Sequence, residues 1–159
     1  VDSCYNQLRK RASLSSSSLS IVSELKSGSA WYVPGGCSTI GRLFNDACGR
    51  YAFAGDKHSG SIPLAFETVF DKAGDADVWT IKYNRDRDMT YSDLKADYIG
   101  YTGFKAFKTR NIYGCNTAKV PFYEETPFRP DYLLSDLIQI LHPEIGDLGG
   151  LRYFCKLNE

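Results

Sequence analysis

Four segments of this 159-residue chain combine residue types that can bind or react. The first is Trp31-Tyr32-Val33-Pro34-Gly35-Gly36-Cys37-Ser38. Its Pro-Gly-Gly turn leads into a helix that Ser38 or Thr39 can cap, leaving backbone N–H groups and a positive dipole end for a carboxylate or phosphate. Trp31 and Tyr32 add flat faces suited to a planar or macrocyclic ligand. Neither GxGxxG nor GxxxxGK[ST] occurs, so a nucleotide site has little support. The second segment runs from Asp56 to Ser61, where Lys57 and His58 can meet an anion or a metal chelate. The third, Lys82-Tyr83-Asn84-Arg85, closes an apolar run, and the charged sequence Arg85-Asp86-Arg87-Asp88 follows. The fourth, Pro121 to Phe128, interleaves aromatics with Glu124 and Glu125. It suits ligand contact or partner docking, and paired carboxylates can also act as general acid and base. Each segment has a purely structural reading too: a tight turn over packed aromatics, a solvated loop, or a stiff proline-rich connection.

Other reactive constellations are weak. No nucleophile has a matched base and there is no GxSxG, so an enzyme using Glu124, Glu125 or His58 has slight support. The five cysteines include no CxxC pair, and with two histidines they argue poorly for zinc. If residues 38–48 are helical, Cys37 and Cys48 sit roughly 16 Å apart along the axis. That is beyond the about 7 Å reach of a disulfide. His142, between an apolar helix and Pro143, reads as a helix C-terminal cap rather than a ligand.

The elements that must hold these segments alternate. Helical patterns cover 4–12, the stretch after Ser38 up to Gly49, 64–73, 91–98, 103–110 and 129–143. The last of these is bracketed by Pro130 and Pro143. Strand patterns cover 20–25, 51–55, 75–83, 111–116 and 151–157, with loops at 14–20 and 56–63. The alternation predicts an α/β three-layer sandwich with a largely parallel central sheet. In such sheets ligands bind at the carboxyl ends of the strands, which selects the loops 26–38, 55–63, 82–90 and 115–130. A hydrophobic fraction of 43% excludes a disordered chain. Nineteen basic against nineteen acidic residues leave no surplus for nucleic acid. No apolar run reaches membrane-spanning length.

The segments WYVPGGCSTIGRLFNDACGRYAFA, SGSIPLAFETVFDKAGDADVW, FKAFKTRNIYGCN, RPDYLLSDLIQILHPEI and LRYFCKL, in that order, resemble the substrate-binding proteins of iron-complex and corrinoid ABC importers. The resemblance implies the C-terminal lobe of a helix-bridged (class III) periplasmic binding protein over residues 1–159, with the N-terminal lobe and bridging helix lying outside this sequence. It implies a ferric siderophore, haem or corrinoid held between lobes with no resident cofactor or metal, no catalysis, delivery to an ABC transporter permease, and a periplasmic or envelope location with a possible lipid anchor. By the same resemblance Trp31, Tyr32, Ser38, Lys57, His58, Tyr83, Arg85, Tyr123 and Glu124 face the cleft, and Glu67 in LAFETVF meets the permease. Cys37 and Cys48 depart from the polar residue and glycine frequent in relatives. A binding module of the same fold without transport is the alternative, and an isolated lobe with a bare cleft wall is expected to self-associate.

Overall fold

Val78-Trp79-Thr80-Ile81 is buried on both sides in a computed structural model covering residues 1–159. Four successive buried residues demand a strand covered on both faces. This strand is central in a five-stranded sheet. The strands are β1 (Ser20–Ser23), β2 (Lys26–Ser27), β3 (Ala30–Pro34), β4 (Arg50–Tyr51), β5 (Ser61–Leu64), β6 (Val78–Tyr83), β7 (Ile112–Asn116) and β8 (Cys155–Lys156). The main sheet has the order β4-β1-β6-β7-β8, parallel except for β8. Registers such as Val22 opposite Trp79 and Ile81 opposite Gly114 fix which side chains share a face. A small antiparallel sheet, β2-β3-β5, sits apart from it.

Helices α1 (Asp2–Ser13), α2 (Thr39–Asp46), α3 (Phe66–Ala73), α4 (Tyr91–Asp97), α5 (Lys105–Lys108), α6 (Phe122–Glu125) and α7 (Pro130–Leu141) complete the fold. On one side of the sheet the Trp79 ring stacks on Trp31 and Phe104, whose centroids lie 5.8 and 4.9 Å away, and meets Tyr101 edge-on. On the other side Thr80 faces Phe44 of α2 and Leu133 and Leu137 of α7. The outcome is the three-layer, largely parallel α/β architecture that the alternation predicts.

The Ser38 hydroxyl accepts from Gly41 N–H at 3.0 Å and opens α2. Pro130 occupies the first turn of α7. His142 is the C-cap of its own helix, where its N–H donates to the Ile138 carbonyl at 2.7 Å, and its ring reaches a second helix end as well. Its Nε2 lies 2.7 Å from the Ala47 carbonyl at the end of α2, and its Nδ1 lies 2.8 Å from Ser17 Oγ. A buried Asp136 carboxylate on α7 accepts the backbone N–H groups of Arg152, Tyr153 and Phe154 at 2.8, 2.8 and 3.1 Å. Those bonds hold the C-terminal segment on the sheet. Burial pushes the Asp136 carboxyl up, although the three donors oppose the shift.

Several boundaries differ from the sequence reading. The Trp31 stretch is not only a turn, since Ala30–Pro34 forms β3 and pairs with Ser61–Leu64, which the sequence reading divides between a polar loop and the start of a helix. The helix there starts at Phe66. The 51–55 strand shrinks to Arg50–Tyr51 and the 151–157 strand to Cys155–Lys156. Asp136 takes the N–H groups of residues 152–154 that a longer strand would have paired. All five cysteines are free.

Asp136→Ala would leave three N–H groups without their acceptor, two of them buried. We expect a loss of about 2–5 kcal/mol, read by urea denaturation. A change below about 0.5 kcal/mol would show that water replaces the carboxylate at no cost.

Candidate functional site

From β1 the chain crosses to β4 on one side of it, whereas from β6 it crosses to β7 on the other. Between β1 and β6, therefore, the loops leaving the strand ends diverge, and a crevice must open there. The structure has a groove of about 590 Å³ at this place. Glu24 and Lys82, the residues at the two strand ends, form its floor as an ion pair of 2.9 Å. Their side chains are 22% and 21% exposed, so water reaches the pair without surrounding it.

The end of β1 is held tightly. Trp31 Nε1 donates to the Ser23 carbonyl at 3.0 Å and Trp79 Nε1 donates to the Glu24 carbonyl at 2.9 Å. Glu24 N–H donates to the Thr80 carbonyl at 2.9 Å. Under these restraints Glu24 adopts φ 75°, a left-handed backbone uncommon for a residue with a Cβ. Beneath the floor lies a small chamber of about 20 Å³ between Ser23, Thr80, Lys82, Phe122 and Phe44. The Ser23 hydroxyl in it is buried and has no hydrogen-bond partner. Lys82 Nζ also lies 5.2 Å from the centroid of Phe122, within cation–π range.

One wall of the groove is formed by Pro34, Ser38 and Thr39, which flank the Gly35-Gly36 turn. A Cβ at Gly35 would fall on the carbonyl oxygens of His58 and Gly60, and these two strands of chain approach too closely for any side chain. Gly35 N–H donates to the Gly60 carbonyl at 2.8 Å, and Cys37 N–H to the His58 carbonyl at 3.1 Å. The turn therefore brings Ser59, Gly60 and Ser61 to the groove beside Ser38 and Thr39. Tyr32 and Tyr123 form the aromatic rim, 50% and 62% exposed.

Of the sequence-selected residues, Tyr32, Ser38 and Tyr123 line the groove. The Ser38 hydroxyl is already engaged, since it also donates to the Gly35 carbonyl at 2.6 Å. Trp31 requires a correction. It is 0% exposed and packs among Trp79, Phe66, Tyr101 and Phe104, so it offers no face to the groove. Period-2 alternation along β3 puts Trp31 inward and Tyr32 outward. Lys57 and His58 precede the lining residues without lining the groove, and His58 Nδ1 lies 2.9 Å from Asp56. Tyr83 also lies off the groove. Its hydroxyl accepts from Met89 N–H at 3.0 Å, and burial pushes its phenol above the ordinary value. Arg85 pairs with Asp97 at 3.0 Å. Glu124 is exposed on α6 and outside the lining, while its neighbour Glu125 accepts from Tyr153 Oη at 2.9 Å. No hydrogen bond joins Glu124, Glu125 and His58. Glu67 lies elsewhere, exposed in the first turn of α3, with Asp71 and Asp75 around the part-exposed Phe70.

Glu24 is the residue that sequence reasoning missed. A left-handed position usually announces itself as Gly or Asn, and here three hydrogen bonds, two of them from a tryptophan pair, impose it on a glutamate. Lys82 was visible as the head of the third segment, but its partner was not.

A family model described as periplasmic binding protein matches residues 1–118. The chain is 31% identical over 128 residues to an uncharacterized lipoprotein of Methanocaldococcus jannaschii, covering 80% of this chain and 30% of that protein. Its fold is similar to the TroA-like periplasmic binding protein FepB from Veillonella parvula, with a TM-score of 0.67, 15% identity, and coverage of 99% of this chain and 54% of that one. It is also similar to S. aureus IsdE complexed with heme, with a TM-score of 0.62, 16% identity, and coverage of 89% and 54%. The chain thus spans about half the length of these solved structures and under a third of the lipoprotein.

Trp31→Ala is expected to cost about 3–5 kcal/mol in denaturant melts, and Tyr32→Ala less than about 0.5 kcal/mol. Equal costs would contradict the inward and outward assignment of the two rings.

Proposed function

Since the chain belongs to the periplasmic binding protein family, we propose that it is the C-terminal lobe of a solute-binding protein that carries an iron complex to an ABC transporter permease. The observation that carries this is the groove at the strand switch point. It is open on one side, rimmed by Tyr32 and Tyr123, floored by a charged pair, and built from a chain half as long as its solved relatives. Half a cleft of this kind fits a ligand enclosed between two lobes. Tyrosine rings offer flat apolar area with a polar tip, and charged groups set against them orient a chelate.

The neighbours support the class of ligand, one of them being a heme complex. Siderophores and corrinoids belong to the same shape class and are the other members of the proposal. The lipoprotein relative supports an envelope location with a lipid anchor on the full-length protein. Cleft groups such as these bind, enclose and release, and none needs to break a bond of the cargo.

Docking would fall to a separate surface. Glu67, Asp71 and Asp75 surround Phe70, which is 41% exposed, and share no residue with the groove. An acidic rim around one apolar side chain suits a basic partner surface, because opposite charge steers the encounter and the apolar centre holds it.

Titration of the full-length protein with haemin, cyanocobalamin and a ferric siderophore panel, followed by absorbance and fluorescence, tests the reading. An iron complex is expected to bind saturably, and Tyr32→Ala and Tyr123→Ala each to weaken it by about tenfold. Failure of every metal complex to bind would overturn the ligand class. Glu67→Arg is expected to leave that affinity unchanged while lowering uptake in cells, and equal loss of both would overturn the docking assignment.

A further inference from the structure

We propose that the Glu24–Lys82 pair is the resting form of a carboxylate-binding subsite, in which a carboxylate of the cargo replaces Glu24 on Lys82 and the Ser23 hydroxyl donates to it. The inference rests on the solute-binding reading of the groove and names what its floor recognises.

Three independent features converge. First, Glu24 is tied by its backbone and free by its side chain. Its N–H goes to Thr80 and its carbonyl takes the Trp79 indole. The carboxylate pairs with Lys82 alone and accepts no other hydrogen bond. The side chain can therefore swing into the groove while the strand end stays in place. Second, Ser23 Oγ is the one buried side-chain polar atom with no partner among the protein's own groups. It is free to bond a polar atom that enters the chamber. Third, the chamber that Ser23 and Lys82 share holds about 20 Å³, room for one water-sized body and too little for a carboxylate. Glu24 borders both that chamber and the groove. Its departure joins the two spaces and uncovers the Lys82 ammonium together with Ser23.

The chemistry selects one class of group. An entering carboxylate re-forms the ion pair that Glu24 gives up, so the half-buried Lys82 ammonium is never left without a partner. A neutral group offers no such replacement and leaves the resting pair in place. A carboxylate borne by a metal complex and a free organic acid share this chemistry.

The test uses the full-length protein and three probes: haemin, which carries two propionates; cyanocobalamin, which has no free carboxylate; and iron-free citrate. Calorimetry and thermal melts are recorded for wild type, Glu24→Gln, Lys82→Met and Ser23→Ala. Glu24→Gln removes the competitor and is expected to tighten haemin or citrate by about tenfold while leaving cyanocobalamin unchanged. Lys82→Met is expected to weaken the same probes by about tenfold or more. Ser23→Ala is expected to weaken them a few-fold with the unliganded melting temperature unchanged or raised, which a merely structural serine would not do. Haemin following this pattern with citrate silent assigns the carboxylate to a metal complex. Citrate following it with haemin and cyanocobalamin silent supports the subsite and overturns only the iron-complex reading. The subsite is overturned if neither carboxylate probe responds to Glu24→Gln and Lys82→Met, or if all three probes shift alike in variants that also lose melting temperature.

Discussion

Two indole N–H groups on adjacent carbonyls set the geometry on which the groove depends. Trp31 and Trp79 donate to Ser23 and Glu24, the last residue of β1 and the first beyond it. Parallel strands leave their final carbonyls without ladder partners once the chain turns away, and a buried carbonyl needs a donor. Here the donors come from the aromatic layer. The same two rings stack on one another at the centre of that layer, so packing of the core and the path of the strand end are one constraint. Glu24 takes a left-handed backbone because its N–H and its carbonyl are both assigned.

The consequence is a strand end held by its backbone, with a Glu24 carboxylate that pairs only with Lys82. On one side of the sheet the stacked aromatics leave little freedom. On the other, α2 and α7 leave a small chamber that the core does not fill. Between the two, Glu24 and Lys82 meet at the place where strand order reverses. The rim is built differently, from the backbone approach of Gly35 to residues 58–60 and from two tyrosines that face outward. A firm wall with outward-facing side chains is the geometry on which the proposed solute-binding role rests.

Much of this was legible in the sequence. The buried run at Val78–Ile81, the proline brackets of the last helix, the Ser38 cap and the alternation of elements lead to the layered α/β fold, and the ordered motifs lead to the family. The site was less legible, for reasons that differ by residue. Trp31 and Tyr32 look equivalent as neighbours, and only the pairing of β3 with β5 decides which ring turns inward. Tyr83 and Arg85 stand at a strand end, yet local bonds to Met89 and Asp97 draw them off the groove. Glu24 carried no local signal, because its conformation is set by residues 7 and 55 positions away.

The most direct measurement is hydrogen–deuterium exchange on the full-length protein with and without a bound iron complex. Slowed exchange on binding is expected in the backbone of residues 24–27, 35–38 and 59–61, with α1 and the Glu67 helix unchanged. Protection confined to other segments, with the Glu24 and Gly35 stretches exchanging as before, would contradict the claim that this groove is one wall of the ligand cleft.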